Sequence, residues 1–338
     1  MSENILKLVA TTLLDLKKGS SYKKLELVLK KLENEGLFST QITLLSDLAV
    51  SECYSSLHDS TEGLAYEIFF ECRSETKLYV DAKGSITHLL SQCRALIHSW
   101  KSEDCLSGLE FSFQDSQIYT EQKKLFIFDM DSTLIQQEVI DEMAKIVGVG
   151  QQVSEITESA MRGEIDFKTS LKKRVALLSG APTSIFDEVR SKIELSKGAK
   201  DLCSYLKSKG CILAVVSGGF LPLANYVKSE LNLDYAFANQ LASDTQSSTL
   251  TGETLGEVVT AEKKALILQE LAVKHDIPLR NVVAVGDGAN DLLMMDVAGL
   301  SIAFNAKPKV QEKAIGCINR PSLLNVTFFL GVKNSELV

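Results

Sequence analysis

Four short apolar runs constrain this chain more than any other feature: LFIF at 125–128, ILAVV at 212–216, NVVAV at 281–285 and LSIAF at 300–304. Each is too short for a helix, and segments of helical periodicity lie between them. Near-continuous apolar strands separated by helices require a parallel sheet buried on both faces, because each crossover lays a helix on the sheet. The expected fold class is therefore α/β, a doubly wound, Rossmann-like parallel sheet. In such sheets ligands bind at the carboxyl ends of the strands. Between the first two runs lies a charged, helix-patterned insertion, Glu138 to about Lys197. It is too long for a simple crossover and is expected to form a helical cap over that edge.

Residues 1–120 read differently. Leu25, Val28, Leu29, Leu32 and Leu37 make a helical stripe over Tyr22–Leu37, and Ile86–Trp100 has a second helical pattern. Ala65–Cys72 and Leu109–Phe113 alternate as strands do. The expectation is a small α+β domain without a chemical motif. A polar linker, Ser116–Lys124, joins it to a second domain at 121–338. Two domains suit 338 residues. The order of elements is compatible with a βαββαβ ligand-sensing (ACT-like) module, which leaves a regulatory role and a homodimerisation role both open.

The formal net charge of −8 argues against a nucleic-acid partner, which would call for a basic face. The seven cysteines are odd in number, widely spaced and without a Cys-x-x-Cys pair, which suits a thiol-reducing cytoplasm. Met1-Ser2-Glu3-Asn4 lacks a basic n-region, and no apolar run reaches membrane-spanning length. Neither a signal peptide nor a membrane span is expected.

Chemistry concentrates where the apolar runs end. Asp129-Met130-Asp131 follows LFIF directly. Residues i and i+2 of an extended chain project to the same side, so two carboxylates meet there. One can attack phosphorus while the other exchanges the proton of the leaving alkoxide and then of water. A carboxylate approaching a phosphate dianion needs a hard cation between them, and Mg²⁺ fits such oxygen ligands. The competing reading is a pair of solvated turn aspartates.

Gly286-Asp287-Gly288-Ala289-Asn290-Asp291 follows the third run and brings two more acids to the same edge. It fails as a dinucleotide fingerprint, since Asp291 stands where the third glycine belongs. Ser217-Gly218-Gly219 after the second run suits a phosphate cradle, though such a sequence is more often a plain turn. Lys263-Lys264 opens a helix and offers a cation for charge building on a phosphoryl group, against the ordinary reading of solvated lysines.

In this order and context the motifs resemble the haloacid-dehalogenase-like (HAD) phosphatases, and more closely the phosphoserine phosphatase family. FIFDMDSTLIQQEVIDEMA, GEIDFKTSLKKRVALL, AVVSGGF, LDYAFANQL, LTGE and VAVGDGANDLLMM carry the likeness over roughly residues 124–320. The resemblance implies Asp129 as nucleophile and Asp131 as acid and base. It implies Mg²⁺ on the Asp129 carboxylate, the Asp131 backbone carbonyl and Asp287. Ser217, Gly218 and Lys264 would hold the phosphoryl group, with Asn290 close by. In the cap, Glu138 would take the substrate's ammonium and Arg174 its carboxylate, with Met161 and Phe167 closing over the ligand.

Spacing alone leaves Glu138 and Arg174 as surface charges and Met161 and Phe167 as core. A phosphotransferase, or a phosphatase for another small phosphate, shares every catalytic residue. A signalling module that keeps its phosphate is a rival of another class, and Asp131 argues against it.

Overall fold

The computed structural model of the protein describes residues 6–15, 63–72, 109–115, 119 and 121–332. The chain divides into two compact units, one of Met1–Gln122, Gln311–Asn319 and Asn325–Val338, the other of Lys123–Val310 and Arg320–Leu324. In the first unit, β1 (Leu6–Asp15) lies between β2 (Gly63–Cys72) and β3 (Leu109–Asp115), antiparallel to both. Two of these strands match the alternating segments of the sequence. The helices expected at 22–37 and 86–100 lie outside the described residues.

The second unit holds β4 (Leu125–Phe128), β5 (Ile212–Phe220), β6 (Tyr235–Asp244), β7 (Thr249–Leu255), β8 (Val282–Gly286) and β9 (Leu300–Phe304). They lie in the order β9-β8-β4-β5-β6-β7, parallel except for the last pair. Every residue of β4, β8 and β9 is buried, as continuous apolar runs require of strands covered on both faces. A tenth strand, β10 (Gly316–Ile318), belongs to the first unit and pairs with β3 through Gly316 and Ser112.

Between β4 and β5 stands the expected cap, with helices α1 (Val139–Val147), α2 (Gly150–Met161), α3 (Phe167–Ala176) and α4 (Ile185–Arg190). Helix α1 buries Val139, Ile140, Met143 and Ala144, one face at helical spacing, and ends on Gly148 in the left-handed conformation. The chain enters and leaves the cap through segments that pair with each other. Ile135 bridges Leu195 in antiparallel fashion, Gln136 N donates to Glu194 O at 2.9 Å, and Ser196 N donates to Leu134 O at 2.9 Å.

Helices α5 (Ala199–Ser208), α6 (Leu221–Glu230), α7 (Ala261–Lys274) and α8 (Leu292–Val297) complete the core. The β6–β7 hairpin was not foreseen as strands. Its burial is patchy because it carries the cap rather than filling the sheet. Gly180 N donates to Leu250 O at 2.8 Å and Leu250 N to Ala181 O at 2.8 Å, so residues 180–183 run along β7 like a further strand. No helix among the described residues is long and apolar enough to cross a membrane.

Candidate active site

Strand register assembles the site. Phe128 is aligned with Val215 on one side and with Val285 on the other. The residues that follow therefore leave the sheet at a single edge, Asp129 from β4, Ser217 within β5 and Asp287 just beyond β8. Asp129 N donates to Val285 O at 2.9 Å, which binds the two acidic ends together. After Asp129 the chain makes one tight turn over Met130–Leu134. Asp131 is extended in it (φ −66°, ψ 136°) and Ser132 is left-handed at φ 54°. A non-glycine residue there is strained. The Ser132 hydroxyl is held in return by Glu138, to which it donates at 2.7 Å.

Lys264 is the hub of the buried charges. It projects from the first turn of α7, whose cap is Thr260, and is 0% exposed. Its Nζ lies 2.8 Å from Asp129 Oδ2 and 2.8 Å from Asp291 Oδ1. Burial works against its charge, but the two carboxylates outweigh that and hold the ammonium above the usual lysine range. Asn290 Nδ2 donates to the same Asp129 oxygen at 3.3 Å, and Met130 N donates to Asp129 Oδ1 at 2.7 Å. The nearby lysine behaves otherwise, with Lys263 pairing with Glu257 at 2.8 Å near the surface.

The carboxylates crowd one another. Burial, then Glu138 and Asp129, hold the Asp131 carboxyl well above the usual range, and its Oδ1 is buried with no hydrogen-bond partner. Burial, then Asp129 and Glu138, push Asp287 up to about 7, while the Thr133 hydroxyl donates to it at 3.2 Å. Asp129, Asp287 and Asp291 each offer an oxygen, all within 4.8 Å of one another. Hard oxygens gathered by the fold against their mutual repulsion fit a divalent cation, whose charge would relieve it.

From the sequence, Asp291 shares with Asp287 a possible place in a metal's oxygen shell, and its pairing with a lysine goes unseen. In the structure it is fully buried, pairs with Lys264 and accepts from Gly288 N at 3.0 Å. Gly286 is needed for this approach, since a Cβ there would strike the Asp291 carboxylate.

Ser217 is buried, its Oγ accepting from Gly219 N at 2.8 Å, and Asn239 Nδ2 donates to Gly218 O at 2.7 Å. These residues lie in β5 at a shift of its register against β6, not in the turn expected from the sequence, and they adjoin Asp131, whose Oδ2 would lie 3.1 Å from a Cβ on Gly219. The cap meets the same stretch, because a Cβ on Gly218 would come within 3.0 Å of the Phe167 ring.

Arg174 differs from Lys172 and Lys173, which are exposed. It is half-buried in the last turn of α3, and its Nε is buried without a partner. Burial lowers its pKa, while Asp141, Glu138 and Asp131 pull it back. Met161 ends α2 at 63% exposure and touches the core through Lys307, a residue the sequence reading passed over.

Residues 123–299 match the haloacid dehalogenase-like hydrolases, and the chain belongs to that family. It is similar to a probable phosphoserine phosphatase of Schizosaccharomyces pombe, 48% identical over 233 residues, or 69% of this chain and 76% of the relative. It is also similar to a phosphoserine phosphatase of Saccharomyces cerevisiae, 42% identical over 265 residues, or 78% of this chain and 84% of the relative. A solved substrate-bound phosphoserine phosphatase complex aligns at 44% identity with a TM-score of 0.58, covering 61% of this chain and 98% of that one.

Proposed function

We propose that the chain is a phosphoserine phosphatase that hydrolyses its substrate through a phosphoryl group carried on Asp129. The observation that carries the reading is the pairing of opposite sockets beside the carboxylate cluster. The bare Nε of Arg174 faces a field of carboxylates that includes Glu138. A phosphorylated amino acid presents a carboxylate to the first and an ammonium to the second, and a guanidinium suits a carboxylate as a bidentate fork.

In the first half of the reaction an Asp129 oxygen bonds to phosphorus while the bond from phosphorus to the serine oxygen breaks. Asp131, whose proton is favoured by its surroundings, gives that proton to the leaving alkoxide. In the second half a water attacks the phosphoryl group, Asp131 takes its proton, and Asp129 is freed with release of phosphate. Lys264 and Asn290 hold Asp129 in place, and Ser217 and Gly218 at the end of β5 receive the phosphoryl oxygens. Asp129, Asp287 and the Asp131 carbonyl would hold Mg²⁺, with Asp291 kept by its pairing with Lys264, and the ion when bound would offset charge on the phosphoryl oxygens. The enzyme would work in the cytoplasm on this small substrate, and residues 1–120 would serve regulation or dimerisation.

Two measurements test this reading. Phosphate release from phosphoserine is expected to vanish in excess chelator, to return with Mg²⁺ and to fail with Ca²⁺, which prefers more ligands and looser geometry. Undiminished turnover in chelator rules the metal out. Arg174→Ala is expected to lower kcat/KM for phosphoserine by about one to two decades, the worth of a charge-assisted contact of about 1.5–3 kcal/mol. Phosphoethanolamine lacks the carboxylate, so its slower hydrolysis should barely change. A ratio of the two specificity constants left unmoved by the substitution removes the carboxylate clamp.

A further inference from the structure

Beside Glu138 and the cap stands Lys307, a cation that the proposed reaction does not use. Lys307 sits in the turn between β9 and the helix beginning at Pro308, where two bonds hold its backbone and a third holds Asn305, two residues before it. Its N donates to Asp287 O at 3.4 Å, its carbonyl accepts from Val310 N at 2.9 Å, and left-handed Asn305 (φ 45°) donates from Nδ2 to Arg320 O at 3.2 Å. The root of the side chain is thus tied to the acidic loop after β8. Its tip crosses to the cap, where Nζ lies 3.7 Å from Met161 Sδ.

Met161 is the last residue of α2, and that helix has no basic residue in its own last turn. Arg162 follows it, but its guanidinium is taken by Glu164 at 2.6 Å and Glu158 at 3.8 Å. The carbonyl end of a helix carries partial negative charge and favours a cation. Lys307 brings a cation from the core to the side chain of the helix's last residue. It also faces Glu138, whose carboxyl is raised first by burial and drawn back in part by Lys307.

We propose that Lys307 is a positioning residue that latches the Met161 end of α2 to the core, closing the cleft mouth and keeping a cation beside Glu138. The idea rests on reading the cleft as a phosphoserine site. A substrate rich in negative charge enters past Asp131, Asp287 and Glu138, so a cation at the entrance that also holds the lid helps to retain it. The effect belongs in KM rather than in the chemical step, because Lys307 touches neither Asp129 nor Asp131.

The test is a double-mutant cycle on the full chain with Mg²⁺ present. Lys307→Ala is expected to raise KM for phosphoserine about fivefold with kcat within twofold, and Lys307→Arg to recover most of the loss. Met161→Leu keeps the apolar bulk and removes the sulfur acceptor. It should raise KM less, and the double variant should be no worse than Lys307→Ala alone. Melting temperatures should stay at the wild-type value throughout. Strictly additive effects, an unchanged KM, or a fall in kcat accompanied by a lower melting temperature overturns the latch. A wild type that leaves phosphoserine intact refutes the substrate reading instead, and the same cycle on p-nitrophenyl phosphate still reads the latch.

Discussion

Asp129→Asn is expected to give a folded protein that has lost turnover by roughly four to six decades, the scale on which removal of a nucleophile acts. An amide oxygen keeps the shape and can still accept from Met130 N, but it does not displace an alkoxide from phosphorus. Stability should hold or rise. Asp129 raises the pKa of Asp131, Asp287 and Asp291, so removing its charge relaxes three neighbours, while Lys264 keeps Asp291. This is the exchange of activity against stability that crowded sites show. Thermal melting checks the second half. Rapid quenching of the wild type with labelled substrate checks the first by trapping an acyl phosphate on Asp129. Near-normal activity of the asparagine variant would falsify the mechanism.

Lys264→Met should damage both fold and chemistry. The methionine fills the space, but Asp129 and Asp291 are left buried without their cation, a loss of about 3–5 kcal/mol for a broken buried pair. The melting temperature is expected to fall on the order of 10 °C, and kcat by roughly two to three decades, since a preorganised cation beside the nucleophile is gone. The two losses separate in Lys264→Met/Asp291→Asn. Removing the second buried charge should recover much of the stability and none of the rate. If rate returns along with stability, Lys264 is structural only.

The parts of this fold that the sequence discloses are those governed by burial on both faces. LFIF and LSIAF match β4 and β9 residue for residue because nothing but a covered strand accepts such a run. The β6–β7 hairpin stayed hidden because Tyr235–Asp244 is half-buried, and its partner on one side is a cap loop with no pattern of its own. β1 gives no strand signal in the sequence, because it lacks a strict alternation and Lys7 and Asp15 interrupt its apolar residues. In the site, the acids were legible from their place after strands. The pairing of Lys264 with Asp291 was not, as it joins residues 27 apart through two elements whose approach no local pattern encodes. Lys172, Lys173 and Arg174 look alike in sequence, and only the packing of α3 sets the third apart. The left-handed turn at Ser132 and the reach of Lys307 to Met161 likewise arise from tertiary geometry.

The paired crossing at residues 134–136 and 194–196 has a consequence for how this enzyme could diversify. Where a segment departs and returns through adjacent, mutually bonded strands, its two ends lie a hydrogen bond apart whatever its length. The entropic cost of closing such an excursion grows only slowly with the number of residues in it. Lengthening, shortening or exchanging what lies between therefore leaves the register of β4, β5 and β8 undisturbed. On the roles proposed for Arg174, Met161 and Phe167, the selectivity of the enzyme would sit in a removable attachment and the handling of phosphorus in the frame beneath it.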